Sequence, residues 1–595
     1  MIPKLIDMPS TSLQWRAVRH KILLIYILLG LLYASVTPIF EISDEVNHYP
    51  VVDYIATHHA LPIQDTHRTH AWDWEAAQPP LYYVTAALLI APFDRSDLYT
   101  HHWIKNPHAQ VGIPNTTHNR NVMVHDWEKQ SFLWRGTPLH VRIVRLYSLV
   151  LSAGTVWLIF VIGRQLAPKA PSLAAMMMAL TAFNPMFIAI GASVNNDNMV
   201  TFFTTLAIAL SFSIWRDGFT WARVWALAFV CVLASASKLS GTYAFVIAGL
   251  SITYTVYKQR LPLRQLILAG LVFALLWGAL LGWWYIRNWQ LYDDPLGNTH
   301  MARTVGLRTP SISIWELLRE EWFSFYVAYW GGFGLLTFTA PPILFYYTGA
   351  LIGVAILGGG LYTLRLKSLQ IIEEKVPFFL LMFLLTLGVG SVISWSLLTP
   401  ASQGRLLFPY NAAIVALLAT GIHYILQPRF ALLVTMPLML LAFYCGVWTI
   451  PRAFALPPSI DTLPNDAQRI DVTFDNVGLL AVAVDDTPVT RAAPYLDVTL
   501  YWHTERTERP LSYFVVIYGR DQNGDLLPLG KRDSYPVYGL LSTTQWQPNK
   551  IYAETISIHL DQWYSTLDLP LQPRLHIGMR DHEQDITIQA RSAIG

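Results

Sequence analysis

Two patterns of apolar residues divide this chain. Up to residue 450, mostly apolar runs of about 17–25 residues recur, each long enough as a helix to cross a hydrocarbon layer of about 30 Å. They fall at 21–40, 143–163, 172–192, 199–215, 222–237, 239–257, 266–286, 342–362, 377–398, 406–425 and 430–450. These runs predict about eleven transmembrane helices, and only Lys238 separates the fifth from the sixth. The stretch AAQPPLYYVTAALLIAPF is also apolar but too short to span, so it reads as a helix lying in the membrane interface after the turn at Pro79-Pro80. From residue 455 the pattern changes. Segments such as YLDVTLYWHT, LSYFVVIYGR, YAETISIHL and RLHIGMRD alternate apolar and polar positions, with DQNGD and QPNK as turn punctuation, and predict a β-sandwich.

The expected fold is thus an α-helical polytopic membrane protein with a C-terminal all-β sandwich. The boundaries are 1–454 for the transmembrane domain, with 41–142 as a first outer loop bearing interfacial helices, and 455–595 for the extracytoplasmic β domain. Composition agrees: 53% of the 595 residues are hydrophobic and 13% charged, about half the charge of a typical soluble domain. A formal charge of +2 gives no field for nucleic acid. The two cysteines, Cys231 and Cys445, lie in apolar runs, which leaves neither a disulfide framework nor a cysteine metal site.

Lys and Arg gather on the cytoplasmic side of membrane proteins. Here Lys4, Arg16, Arg19 and Lys21, then Arg164 with Lys169, Arg216 with Arg223, Lys258 with Arg260 and Arg264, Arg365 with Lys367, and Arg429 occupy alternate loops. That side is expected to be cytoplasmic. Loops 41–142, 193–198, 287–340 and 399–405 and the β domain then lie outside. Three cations, Lys238, Arg287 and Arg405, fall at outer helix ends where the rule asks for none. Each reads as snorkelling or paired with a carboxylate, and the three together as a site for an anion such as a lipid phosphate. Arg142 and Arg145 read either way.

Asp44 and Glu45 stand directly after the first helix. Two carboxylates at a water–membrane edge can divide the work of accepting a proton and orienting an acceptor, or can simply favour a helix N-terminus. Eleven of the 18 histidines lie in the first outer loop, His48, His58, His59, His67 and His70 among them. They read as surface polar residues or as ligands of a divalent ion with Asp44 or Asp73, without the spacing of a known metal motif.

The order of these parts resembles the GT-C superfamily of membrane glycosyltransferases, near the protein O-mannosyltransferases and the lipid A aminoarabinose transferases of glycosyltransferase family 39. The resemblance covers roughly 20–450. It rests on Asp44-Glu45 past the first helix, the Pro-Pro-Leu-Tyr-Tyr helix, the Arg-bearing second span, NPMFIAIGASVNNDNMVTF, ASASKLSGTYAF, WWYIRNWQLYDDPLG and SQGRLLFPYNAAIVALLATG. It implies inverting transfer of a sugar from a polyprenyl-phosphate donor to a glycan, lipid or protein acceptor at the outer face of the cytoplasmic membrane of a bacterial cell. Asp44 would be the general base, with Glu45 beside it. Where the aminoarabinose transferases carry a lysine before Pro-Pro, this chain has Gln78, an amide without charge. Phosphate neutralisation then falls to Arg287, Arg405 and Lys238, or involves a divalent metal. The same motifs mark His48, Tyr82, Tyr83, Asn196, Asp197 and Gln403 as substrate-binding candidates. The rival readings are a non-catalytic membrane protein that binds or displays glycans and a lipid or solute transporter.

Overall fold

A computed structural model of the chain describes residues 13–130, 135–364, 375–426, 430, 432–465, 467–485, 494–504, 507–520, 525–560, 574–581 and 586–592. Lys4, Arg365, Lys367 and Arg429 of the charge pattern, and most of the DQNGD turn, lie outside the described residues. The protein is a multi-pass membrane protein whose helical region is followed by antiparallel β-sheets.

Among the described residues, nine helices are long and apolar enough to cross a membrane. They are Leu13–Val36 (α1), Gly136–Leu166, Asp197–Asp217, Leu239–Lys258, Leu263–Tyr292, Pro342–Leu364, Lys375–Leu398, Gly404–Ile425 and Leu433–Ala453. A tenth is the pair Pro171–Ala182 and Pro185–Gly191, bent by 67°. The bend has a local cause. Pro185 cannot donate to the preceding turn, while the Asn184 side chain accepts from the amides of Met186 and Phe187 and so starts a new helix. The expected count of about eleven differs by one: Trp221–Ser237, with 17 residues, is a shorter apolar helix at the lower end of the lengths that span. The break at Lys238 is present, because that residue is extended (φ −162°, ψ 151°) and ends Trp221–Ser237.

Between the first two spans, α2 (Glu45–His58), a 3₁₀ turn (Ala71–Trp74) and the short apolar helix α3 (Leu81–Ile90) pack together. α4 is Gly136–Leu166, α5 Pro171–Ala182, α6 Pro185–Gly191, α7 Asp197–Asp217 and α8 Trp221–Ser237. α7 is the interior helix, with 89% of its most apolar stretch buried against 11% for Leu263–Tyr292, which faces outward. Since α7 begins at Asp197, the core helix delivers that carboxylate.

The chain forms two compact units. The first holds residues 1–95 and 138–451, the second 96–137 and 452–595. Residues 41–142 are therefore divided between them. In the second unit β1 (Ser459–Ile460), β2 (Gln468–Phe474), β3 (Val477–Val484), β4 (Tyr495–Thr504) and β7 (Ile551–His559) join β10 (Ala590–Ser592) in a six-stranded sheet of order β10-β2-β3-β4-β7-β1. β5 (Ser512–Arg520), β6 (Leu526–Ser534), β8 (Arg574–Asp581) and β9 (Ile586–Ile588) form the other, of order β9-β8-β5-β6. Alternate residues face one core: Val498, Leu500 and Trp502 from β4, Tyr513, Val515 and Ile517 from β5, Ile556 and Ile558 from β7. Residues 96–137 are bonded into this unit. The Asn119 amide N–H donates to Tyr538 O at 2.9 Å and its side-chain amide to Ser534 Oγ at 2.9 Å, and Trp127 Nε1 donates to Leu540 O at 2.7 Å. The two ends of the segment are held together where Asp97 accepts from the amide (3.0 Å) and hydroxyl (2.8 Å) of Thr137.

Glu554 is buried in this unit and accepts from Trp502 Nε1 (2.7 Å) and the Tyr538 amide (2.9 Å). Burial pushes its carboxyl up to about 7, above the roughly 4.3 of an unfolded chain. The folded state therefore holds this proton more tightly. The group's stabilising contribution is complete below about pH 4 and is lost as pH rises through about 7. Glu554→Gln is expected to remove part of the fall in melting temperature between about pH 5 and 8, measured on the full chain. An unchanged slope would contradict the assignment.

Candidate functional site

Four separate segments of the first unit bring charge to one point. Asp44 takes a left-handed backbone conformation (φ 61°, ψ 0°), which Asp tolerates better than most residues. It occupies the N-cap position of α2 but makes no cap bond with its side chain. Its carboxylate pairs instead with Arg405 Nη2. Arg405 lies in a 3₁₀ turn, Gly404–Tyr410, and its Nη1 reaches Asp197 Oδ2 at 3.2 Å. Asp197 takes a second cation on its other oxygen, Lys238 Nζ at 2.6 Å. Gln403 Oε1 accepts from Arg405 Nε at 2.8 Å and fixes the plane of the guanidinium. Arg405 and Asp197 are each only 3% exposed, whereas Asp44 is 24% exposed and so is the most open member.

Gly404 positions the arginine. A Cβ there would lie 2.0 Å from Phe325 O, so the turn rests on the backbone of Ile314–Trp330 with no room for a methyl group. Gly404→Ala is expected to destabilise the protein by about 1–3 kcal/mol through overpacking and to displace Arg405. A thermal melt checks the first effect, and an unchanged melt would contradict the close approach.

Around this cluster lie the polar groups of α2 and α3. His48 Nδ1 is 2.8 Å from Tyr83 Oη, with the rings stacked at 5.9 Å. Burial lowers the His48 imidazole to about 3, so it is neutral at pH 7. Tyr82 Oη accepts from the Asn195 amide at 2.9 Å and contacts Ser148 Oγ at 2.8 Å, tying α3 to the start of α7 and to α4. Asn196 donates its amide to Ser237 O at 3.3 Å, next to Lys238. Among the described residues its buried Oδ1 has no hydrogen-bond partner.

The other sequence candidates are engaged differently. Glu45 does not share Asp44's surroundings. It is fully buried and bonds twice to Arg145, from Nε to Oε1 at 2.9 Å and from Nη2 to Oε2 at 2.5 Å. It also accepts from the amides of Phe40 (2.8 Å) and Val194 (3.0 Å). Arg145 donates further to the carbonyls of Ala34, Thr37 and Pro38. This pair locks the end of α1 to α4. Arg287 donates to the carbonyls of Leu61 (3.4 Å) and Pro62 (2.8 Å), fastening the loop after α2 rather than joining the Arg405 cluster. Gln78 is half-buried after the 3₁₀ turn. Asp73 accepts from the amides of Asp65 and His70, and among the described residues no three His, Cys, Asp or Glu side chains converge as metal ligands.

Sequence reading missed Glu75. It is 7% exposed, follows the 3₁₀ turn, and lies within electrostatic range of Lys238, Asp44, Asp197 and Arg405. Its one signal is a second acidic residue, two positions after Asp73, in the aromatic stretch AWDWEAAQPPLYY.

No protein-family model matches the chain, and no curated protein matches it in sequence. Among solved structures it is similar to the S. cerevisiae protein O-mannosyltransferase Pmt1–Pmt2 complex bound to the sugar donor, at 14% identity and a TM-score of 0.32, over 49% of this chain and 36% of that one. It is also similar to ArnT from Cupriavidus metallidurans bound to undecaprenyl phosphate, at 12% identity and a TM-score of 0.41, over 77% of this chain and 67% of that one. The chain thus spans about a third of the length of the mannosyltransferase chain.

Proposed function

We propose that this chain is a membrane glycosyltransferase that moves a sugar, with inversion, from a polyprenyl-phosphate carrier to an acceptor hydroxyl at the outer face of a bacterial cytoplasmic membrane. One observation carries the reading: Arg405 bridges Asp44 and Asp197 while Lys238 holds Asp197 from the other side. A base candidate and two cations from distant parts of the chain thus meet beside helix ends. The motif order in the sequence supports the same class, and the alternation of basic loops, with Trp221–Ser237 counted as a pass, supports the side.

In this reading the two cations neutralise the two aspartates until a donor arrives, whose phosphodiester competes for Arg405 and Lys238. Asp44 is then released to accept the proton of the acceptor hydroxyl as its oxygen attacks the anomeric carbon. The bond from that carbon to the phosphate oxygen breaks, its electron pair leaving with the polyprenyl phosphate. The carrier gains one negative charge in this step, and Arg405 and Lys238 stabilise it as it develops.

The test is incubation of the purified protein with a panel of undecaprenyl-phosphate sugars, with and without divalent cations, and detection of undecaprenyl phosphate by mass spectrometry. Release from at least one member is expected. No release from any of them under either condition would overturn the proposal.

A further inference from the structure

In the second unit, β6 is an edge strand of the four-stranded sheet, and its Arg532 stands opposite Val515 of β5. Directly paired residues share a face, and Val515 belongs to the core between the sheets, so the arginine points inward. It is half-buried, and its Nε is buried without a hydrogen-bond partner among the described residues. The acid within its electrostatic range is Asp533. As the next residue of the strand Asp533 points to the opposite face, where Lys531 holds it at 3.0 Å. A guanidinium keeps its charge at any ordinary pH. Arg532 therefore cannot ease its burial by losing a proton, and it needs an acceptor.

The segment 96–137 brings two more groups to the same place. His118 is 2% exposed and stacks on Tyr538, with ring centroids 5.1 Å apart and planes at 6°. Both of its ring nitrogens are buried without a hydrogen-bond partner among the described residues. Burial, and after it the charges of Arg532 and Arg120, lower the imidazole to about 3, so the ring is neutral with one N–H to give. Arg120 donates to the carbonyls of Thr116 (2.7 Å) and Ala453 (3.5 Å), which fix its place without cancelling its charge. An inward charge on an edge strand can serve simply to block pairing with another chain. That task needs the arginine alone. It does not account for a buried imidazole with two open nitrogens beside it, whereas an oxyanion accepts from a guanidinium fork and from an N–H together.

We infer that Arg532, His118 and Arg120 form a binding site in the second unit for an oxyanion, a carboxylate or phosphate group of a ligand. The inference stands apart from the charged cluster of the first unit and does not rest on the transferase reading.

The test is isothermal titration calorimetry on the purified full chain at constant ionic strength, with inorganic phosphate, glucuronate and chloride as probes. Phosphate or glucuronate is expected to bind the wild type with a Kd of about 1 mM or tighter, and chloride much more weakly. The tighter of the two oxyanions tells a phosphate ligand from a carboxylate. Arg532→Gln is expected to weaken binding about tenfold or more. Arg532→Lys keeps the charge but loses the planar fork, so a loss of about threefold is expected. His118→Phe keeps the stack on Tyr538 without an N–H and is expected to lose about tenfold. If Arg532→Gln does not fold, the other two variants carry the test with the same expected losses. Binding that Arg532→Gln and His118→Phe leave unchanged would place the anion elsewhere and overturn the inference. So would equal binding of chloride, which is charge screening. If neither oxyanion binds the wild type and Arg532→Gln aggregates, the arginine is a guard of the strand edge and the inference fails.

Discussion

Asp44→Asn is expected to slow sugar transfer by about 10²–10⁴-fold, the usual worth of a positioned general base. The substitution keeps the shape of the side chain and removes its ability to take a proton. Arg405 keeps Asp197 as a partner at 3.2 Å, and Asp44 is 24% exposed, so little stability is at stake. Rate and fold therefore separate. Transfer from the lipid-linked sugar should collapse while the melting temperature stays within a few degrees of wild type. A variant that transfers at the wild-type rate would remove Asp44 from the chemistry.

The adjacent carboxylate should behave in the opposite way. Arg145→Ala is expected to destabilise the protein by about 3–5 kcal/mol, because it leaves Glu45 as a buried charge without a cation. The carbonyls of Ala34, Thr37 and Pro38 lose their donor in the same step. Glu45 keeps two amide donors, which limits the effect but does not supply charge. Denaturant or thermal unfolding of the purified chain measures this directly. Wild-type stability in Arg145→Ala would show that the pair does not hold α1 to α4.

The contrast between Asp44 and Glu45 shows how far the sequence can be read. The spans and several strands were legible because burial in lipid or in a two-sided core imposes a period on the residues: YLDVTLYWHT is the strand Tyr495–Thr504 without adjustment. Arg405 and Lys238 were legible as charges at helix ends that orientation alone did not explain, and Asp197 through the motif NPMFIAIGASVNNDNMVTF. The division of labour at Asp44-Glu45 was not, since it depends on the left-handed turn at Asp44 and on an arginine 100 residues further along. Arg287 had the same credentials as Arg405 in sequence, and only the fold shows it bonded to Leu61 and Pro62. Glu75 was passed over because an acidic residue two positions from Asp73 in an aromatic stretch shows no helical or strand period, and the charges it faces come from distant parts of the chain.

The clasp between Asp97 and Thr137 has a consequence for how the chain is made and cut. Residues 96–137 are synthesised roughly 300 residues ahead of the strands that complete their unit, so Asn119 and Trp127 must wait for most of the helical region before they find partners, a delay typical of contacts distant in sequence. A stop codon after residue 451 would therefore strand a folded-in excursion instead of trimming off a tail. The deletion that respects the architecture removes both pieces together, with a short linker between Arg95 and Pro138 in place of the clasped neck.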